Sequence, residues 1–363
     1  MLKAVFPGKY LQGEGLTGEL PMIMKSLGQK GLILTSGTAK TILEENFDPN
    51  DFPDLIIEPF GGECCESEIS RLSELVIQHK IEVMAGMGGG KTIDTAKIVA
   101  DKAGIPVIIV PTIASSDAPC SGVGVIYTDG GVFQSTWYTK SNPHMVLVDM
   151  RVIAASPVRF LVAGMGDALA TWFEARSCER TQSLNECGGN STLTGLTLAK
   201  LCYDTILKYG SAARLANELQ VITPALYHVV EANILLSGIG FESSGLAAAH
   251  SIHNGLSAME ETHAYYHGEK VAFGVLTGLH LTDAQPDEIE TVYSFCEEIG
   301  LPTTLADIGL ANKSGDELMK VAVKACSPGE FIHHEAGKIS PENVLAAMLA
   351  ANATGRQRKS ERV

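Results

Sequence analysis

Along the first 155 or so residues, short apolar runs alternate with amphipathic stretches. Gly31 to Thr35, Asp54 to Phe60, Ile81 to Gly86, Pro106 to Pro111 and Met145 to Asp149 are brief and rich in Val, Ile and Leu, which predicts buried strands. Glu66 to Lys80 and Lys91 to Lys102 repeat their apolar positions with helical spacing. Strand and helix in alternation predict a parallel sheet covered by helices, with ligands beyond the carboxyl ends of the strands.

From Pro157 the pattern changes to long helical segments with short breaks: Arg159 to Cys178, Ser191 to Lys208, Thr223 to Leu236, Gly245 to Ser257, Lys270 to Thr282, Glu288 to Ile299, Ser314 to Ala325 and Pro341 to Ala351. The expected fold is an α/β domain with a Rossmann-like parallel sheet over residues 1–157 and an all-α domain over 158–363. A chain of 363 residues suits two cores of ordinary size.

Composition narrows the class. With 45% hydrophobic residues, 37 glycines and 19% charged residues, the chain reads as a compact enzyme. A net charge of −15 opposes binding to nucleic acid or to anionic membrane. The one dense basic run, Arg356 to Arg362, reads as a solvated tail. No apolar run approaches a bilayer span and the opening residues lack a signal-peptide core, so a cytoplasmic location is expected. The eight cysteines form no C-x-x-C pair and are expected to be reduced; Cys64, Cys65 and Cys120 read as small buried hydrophobes.

Two loops carry nucleotide-binding character. Strand Ile81 to Gly86 runs into Gly86-Met87-Gly88-Gly89-Gly90-Lys91-Thr92 and then a helix. Glycines there let backbone N–H groups approach a phosphate, the helix dipole favours its charge, and Lys91 adds a cation. A dinucleotide G-x-G-x-x-G loop would need glycine at Lys91, and a P-loop would need it at Ala85, so the run matches neither fingerprint. Asp94 is either a helix-dipole residue or a ligand acceptor. The strand ending at Pro111 leads into Thr112-Ile113-Ala114-Ser115-Ser116-Asp117-Ala118-Pro119-Cys120-Ser121. Its hydroxyls are candidates to hold cofactor and Asp117 to meet a polar substrate, against the plainer reading of a capped polar turn.

Four of the ten histidines, His250, His253, His263 and His267, fall between Gly245 and Lys270. Imidazoles on helix faces beside a turn are candidate metal ligands, though His253 and His263 taken singly read as packing or surface residues. Asp167 interrupts an apolar helix, where a carboxylate is costly unless paired with Arg176 or Arg180 or bound to a metal. Asp167, His250 and His267 together would leave a fourth position for substrate, as in a catalytic zinc site.

The segments GGGKTIDTAK, PTIASSDAPCS, GMGDALATWFEA, GFESSGLAAAHSIHNGL and YYHGEKVAFG, in that order, resemble the zinc-dependent glycerol dehydrogenases of the iron-containing alcohol dehydrogenase superfamily, from about Phe6 to Ile332. The resemblance implies a dehydroquinate synthase-like fold, oxidation of glycerol to dihydroxyacetone with NAD, and a homo-oligomer, an octamer by that resemblance. It implies metal ligation by Asp167, His250 and His267, with catalysis centred on Asp117 and His250. Cofactor contacts fall on Gly88, Gly89, Gly90, Lys91, Asp94, Thr112, Ser115, Ser121, Val123 and Tyr127. Iron-dependent relatives carry a histidine four residues after the metal aspartate; Thr171 stands there, which favours zinc. Where the family has an acid for the adenosine ribose, this chain has Ser36, which opens the way to NADP. A nucleotide hydrolase is the reading from another class and is opposed by Ala85. Lys270 is the one basic residue of the histidine stretch, so a neutral polyol is expected.

Overall fold

The computed structural model describes residues 1–47 and 51–361. Two compact units emerge. One comprises Phe6–Pro157 with Ala216–Thr223, and the other comprises Met1–Val5, Val158–Leu215 and Pro224–Val363. The division falls at Pro157, as the change of periodicity does, but two short segments are exchanged.

The first unit is built on a six-stranded parallel sheet. Its strands are β1 (Tyr10–Gly13), β2 (Gly31–Thr35), β3 (Leu55–Pro59), β4 (Val83–Gly88), β5 (Val107–Pro111) and β8 (Met145–Asp149), in the order β1-β8-β5-β4-β2-β3. The remaining strands, β6 (Val123–Tyr127) and β7 (Phe133–Tyr138), form a separate antiparallel pair. β2, β4, β5 and β8 are buried at every position, which is why they read as unbroken apolar runs; the edges β1 and β3 are half-exposed. β4 begins two residues later than its apolar run and extends through Gly88, because its register pairs Met87 with Thr35 and Gly88 with Pro111.

Alternate side chains of each strand serve opposite faces. Ile33, Ala85, Met87 and Ile108 pack with Leu20 and Met24 of α1 (Leu20–Lys25) and with Ala39 and Leu43 of α2 (Gly37–Asn46). α3 (Glu66–His79) packs beside α4 (Gly90–Ala103), and α4 lies on β4 at Gly86, where a Cβ would sit 2.5 Å from the Ala96 methyl. A short α5 (Met150–Ala155) follows β8, capped by Asp149. The chain steps from β2 outward to β3 and returns to place β4 on the other side of β2, so the strand order reverses between β2 and β4. That reversal is where ligands bind in open α/β sheets, and the Gly88 to Lys91 segment leaves from it.

The second unit is helical: α6 (Val158–Thr181), α7 (Leu193–Glu218, its last turn in the first unit), α8 (Pro224–Glu231), α9 (Ser237–Ser244), α10 (Ala248–Ser257), α11 (His267–Leu281), α12 (Pro286–Ile299), α13 (Gly315–Ala325) and α14 (Pro341–Glu361). The single helix expected over Thr223 to Leu236 is α8 followed by a π-helical turn, Ala232–Leu236, that leads into α9. Gly245, at φ +103, breaks α9 from α10 in a conformation that side chains rarely adopt. The basic run near the end is no loose tail: Arg358 pairs with Glu297 (2.9 Å) and Glu290, and Lys359 with Asp307 (2.6 Å), along α14. Arg362 lies outside the described residues. No helix among them is long and apolar enough to cross a membrane.

A candidate metal centre and the nucleotide loops

α6 and α11 approach until side chains no longer fit between them. A Cβ on Gly268 would lie 1.8 Å from the Ala163 carbonyl oxygen, and one on Gly166 would lie 2.3 Å from the Gly268 carbonyl oxygen. Interior glycine costs about 1 kcal/mol relative to alanine in a helix, so two at one crossing mark a contact that backbone alone can make. Their sequence neighbours, Asp167 and His267, meet as a result. α10 reaches α11 by the same device, since a Cβ on Gly274 would lie 2.4 Å from the Ala249 carbonyl oxygen. This brings in His250.

Asp167 is fully buried. One of its oxygens, Oδ1, faces His267 Nε2 at 3.0 Å and His250 Nε2 at 3.5 Å, and the ligand atoms of all three residues lie within 4.8 Å of one another. Among the described residues, this is the one group of three acids, cysteines or histidines so placed. Burial disfavours the Asp167 carboxylate, but His267 and His250 outweigh it and hold its pKa far below the usual carboxylate range. Burial also opposes charge on His250, and there Glu174 and Asp167 prevail and raise its pKa well above the ordinary value. A salt bridge from Asp167 to Arg176 is not what forms; Arg176 pairs with Glu288 at 2.8 Å.

Each ligand ring is held from behind. His250 Nδ1 lies 2.6 Å from Glu174 Oε2, and His267 Nδ1 lies 3.0 Å from His253 Nε2. Both Nε2 atoms are thereby left toward Asp167. Ligand atoms about 2.0–2.2 Å from a tetrahedral zinc lie roughly 3.3 Å apart, and the 3.0 and 3.5 Å separations bracket that spacing. The donor set fits a metal. His253 also lies 3.3 Å from Ser257 Oγ, which accepts from Lys270 Nζ at 2.8 Å, while exposed His263 turns to the Ser257 carbonyl and joins nothing at the centre. Thr171 places its hydroxyl 2.7 Å from Ser237 Oγ, in the buried packing of α6.

Glu174 escaped sequence reasoning. It stands seven residues after Asp167 on α6, two turns along the same face, and an acid at that spacing in an apolar helix was the signal available.

The nucleotide candidates all lie in the other unit. Gly89 ends the turn after β4 and Gly90 opens α4, with no side chain capping the helix start. A Cβ on Gly88 would meet Thr92 and Ser36, whereas one on Gly90 would enter open space, so Gly90 is not required by packing within the chain. Ser36 N–H donates to the Met87 carbonyl, which seats Ser36 beside the glycine turn. Lys91 reaches Glu63 at 2.6 Å and lies 5.0 Å from the Tyr127 ring centre. Thr112 N–H donates to the Gly88 carbonyl at 3.1 Å and ties the two loops together. Asp117 opens a 3-10 turn, Ala118–Cys120, at φ −89 and ψ 0, and is 9% exposed. Ser121 is buried and Val123 and Tyr127 mark the two ends of β6.

Asp94 turns inward. One oxygen accepts from Val125 N–H at 3.1 Å and the other pairs with Lys97 Nζ at 2.9 Å. Lys97 is 1% exposed and donates to the carbonyls of Ala118 (3.0 Å), Ser121 (3.3 Å) and Val123, so the pair pins the 118–123 segment to α4. The eight cysteines are all free and six are buried. Burial pushes the Cys64 thiol up to about 12 and those of Cys178 and Cys296 higher still, which makes them packing residues.

Residues 7–150 match the model of the iron-containing alcohol dehydrogenase family. Over 98% of both chains the sequence is 52% identical to a glycerol dehydrogenase of Thermotoga maritima. The chain belongs to the glycerol dehydrogenases of the iron-containing alcohol dehydrogenase family. The solved structure of a probable glycerol dehydrogenase from Sinorhizobium meliloti superposes with a TM-score of 0.94 at 43% identity, covering 98% of this chain and 100% of that one. A glycolaldehyde reductase of Halobacterium salinarum is 41% identical over 97% of each chain. The chain is therefore an oxidoreductase acting on a small molecule.

Proposed function

We propose that the protein oxidises glycerol, and vicinal diols like it, to the corresponding hydroxyketone with NAD, using zinc held by Asp167, His250 and His267. The observation that carries the proposal is the convergence of two imidazole Nε2 atoms on one oxygen of a fully buried carboxylate. When bound, the metal supplies Lewis acidity that lowers the pKa of the hydroxyl to be oxidised. Two histidines and one carboxylate also suit iron; Thr171, at the position where iron-dependent relatives add a histidine, favours zinc.

The chain's own residues do the rest. Asp117 accepts a hydrogen bond from a second substrate hydroxyl and so favours diols over simple alcohols. Gly88, Gly89, Gly90 and Lys91 hold the pyrophosphate through backbone N–H groups and the α4 dipole. Thr112, Ser115, Ser121, Val123 and Tyr127 line the path of the remaining nucleotide, and Asp94 serves it through Lys97 rather than by direct contact. On this reading residues 6–157 form the nucleotide-binding domain and the helical unit binds metal and substrate. Lys270, the basic residue of the histidine stretch, directs its ammonium to Ser257 Oγ at 2.8 Å, in keeping with a neutral substrate. The family resemblance supports a cytoplasmic homo-oligomer, an octamer by that analogy.

The test is one substrate panel (glycerol, 1,2-propanediol, 2,3-butanediol, glycolaldehyde, ethanol) assayed with NAD and NADP on zinc-loaded, iron-loaded and chelated protein. Diol oxidation with NAD that is lost on chelation and restored by zinc is the expected result. Turnover that survives complete chelation overturns the metal assignment, and a large preference for NADP overturns the cofactor.

A further inference from the structure

Glu174 is among the most enclosed acids of the chain: its side chain is 2% exposed, and His250 is its ion-pair partner among the described residues. A carboxylate in that position is costly unless donors surround it. Three do. Oε1 accepts from the backbone N–H groups of Ala247 (2.8 Å) and His250 (3.0 Å), and Oε2 lies 2.6 Å from His250 Nδ1. α10 has no side chain of its own capping its start at Ala247, so an acid from α6 does that work and grips the ligand ring as well.

This gives the two imidazoles of the centre unequal support. His250 is backed by a buried carboxylate and anchored through its own backbone N–H. His267 is backed by a histidine, and its side chain is 42% exposed. Charge-assisted hydrogen bonds are about twice as strong as neutral ones, so the support behind His250 is the stronger.

We propose that Glu174 is the residue that positions His250 for metal binding, holding Nδ1–H toward itself so that Nε2 presents its lone pair beside Asp167. The proposal rests on the metal reading above and adds a ranking to it: Glu174 controls metal retention more than His253 does. A carboxylate behind a metal-ligating histidine fixes the ring and increases the basicity of the ligating nitrogen, and losing such a partner typically weakens metal binding roughly 10- to 100-fold.

The experiment measures the zinc dissociation constant of full-length protein by competition with a chromophoric chelator, for wild type, Glu174→Gln, His253→Asn and Asp167→Asn, with thermal melts and KM for NAD alongside. Glu174→Gln keeps the size of the side chain and one acceptor oxygen. Its expected zinc dissociation constant is raised roughly 10- to 100-fold, more than that of His253→Asn, with KM for NAD unchanged and kcat substantially recovered at saturating zinc. Unchanged zinc affinity in a folded Glu174→Gln overturns the proposal, as does a larger loss in His253→Asn. Should Glu174→Gln not fold, Glu174→Asp, which keeps the charge but withdraws it from Nδ1, carries the same expectation and the same overturning result. Failure of the metal reading itself looks different: wild type then binds no stoichiometric zinc, or Asp167→Asn retains wild-type affinity.

Discussion

Gly268 and Ala163 are in backbone contact across the α6–α11 crossing, so close that a Cβ on Gly268 would lie 1.8 Å from the Ala163 carbonyl oxygen. Neither partner can yield, because both sides of the contact are backbone. Gly268→Ala is therefore expected to push α11 away from α6, moving His267 off Asp167. Zinc affinity and the denaturant midpoint should fall together. Gly278, on the same helix, is the control: there a Cβ would meet the Ala248 methyl at 3.8 Å, ordinary contact. Gly278→Ala should leave zinc binding intact and gain up to about 1 kcal/mol of helix propensity. Equal effects of the two substitutions on zinc affinity would show that the close crossing does not set the ligand geometry.

Asp167→Asn removes a charge at nearly constant volume from the point where both Nε2 atoms converge. Loss of zinc and a fall in kcat/KM beyond the roughly 100-fold expected for outer partners of a metal site are the predicted outcome, with the fold retained by circular dichroism. Metal analysis of the purified variant checks it, and a fully loaded, fully active Asp167→Asn contradicts the ligand assignment.

How far the sequence discloses this molecule depends on whether a feature is local. β2, β4, β5 and β8 are legible because strands buried on both faces must be apolar throughout. β1 is a half-exposed edge strand of YLQG and carries no such mark. The β6–β7 pair has a local cue, Asp129-Gly130 between two β-rich runs, but its strands are half-exposed and lack the unbroken apolar runs that mark the parallel sheet. α11 starts at His267, three residues ahead of its expected start, because its N-cap is Tyr266, outside the usual Ser, Thr, Asp and Asn set. Asp167 and the histidines stand out by residue type. What joins them, backbone contact at Gly166 and Gly268 and the carboxylate of Glu174, is tertiary: a glycine in a helix has no local signature of such a role, and Glu174 has only its seven-residue spacing from Asp167 in an apolar helix.

Ser36 follows β2 directly and sits beside Gly88, at the reversal of the strand order. An acid there would bond a ribose 2′-hydroxyl and repel a 2′-phosphate. Ser36→Asp is expected to lower kcat/KM for NADP by at least tenfold while leaving that for NAD unchanged or improved. Steady-state kinetics with both cofactors decide it. A variant whose NADP to NAD ratio does not move would place the adenosine ribose away from Ser36.

Lys97 fills a buried site with donors to Asp94 and to three carbonyls of the 118–123 segment. Lys97→Met matches its length without its charge and leaves the Asp94 carboxylate without its ion pair. Removing one member of a buried pair typically costs about 3–5 kcal/mol, so a lower melting temperature is expected. The functional counterpart is a raised KM for NAD with zinc affinity unchanged. A variant with a raised zinc dissociation constant but normal KM for NAD would contradict a role confined to the nucleotide loop.

Lys270 supplies the pH dependence. It is 7% exposed, and burial lowers its ammonium pKa from 10.5 to about 8 although Glu269 pulls the other way. Between those values the unfolded chain holds a proton that the folded chain has released, so stability rises with pH across that window. Below pH 8 both states are protonated and the folded state carries the whole cost of the buried charge, at most ~3 kcal/mol for a shift of this size. Lys270→Met removes that cost and forfeits one hydrogen bond to Ser257, worth about 1 kcal/mol. The variant should thus be more stable than wild type at pH 7, and the difference should shrink by pH 9.5. Urea unfolding of both zinc-loaded proteins at the two pH values measures it. A gap that widens with pH would mean that the Lys270 ammonium is stabilised, not penalised, by its place in α11.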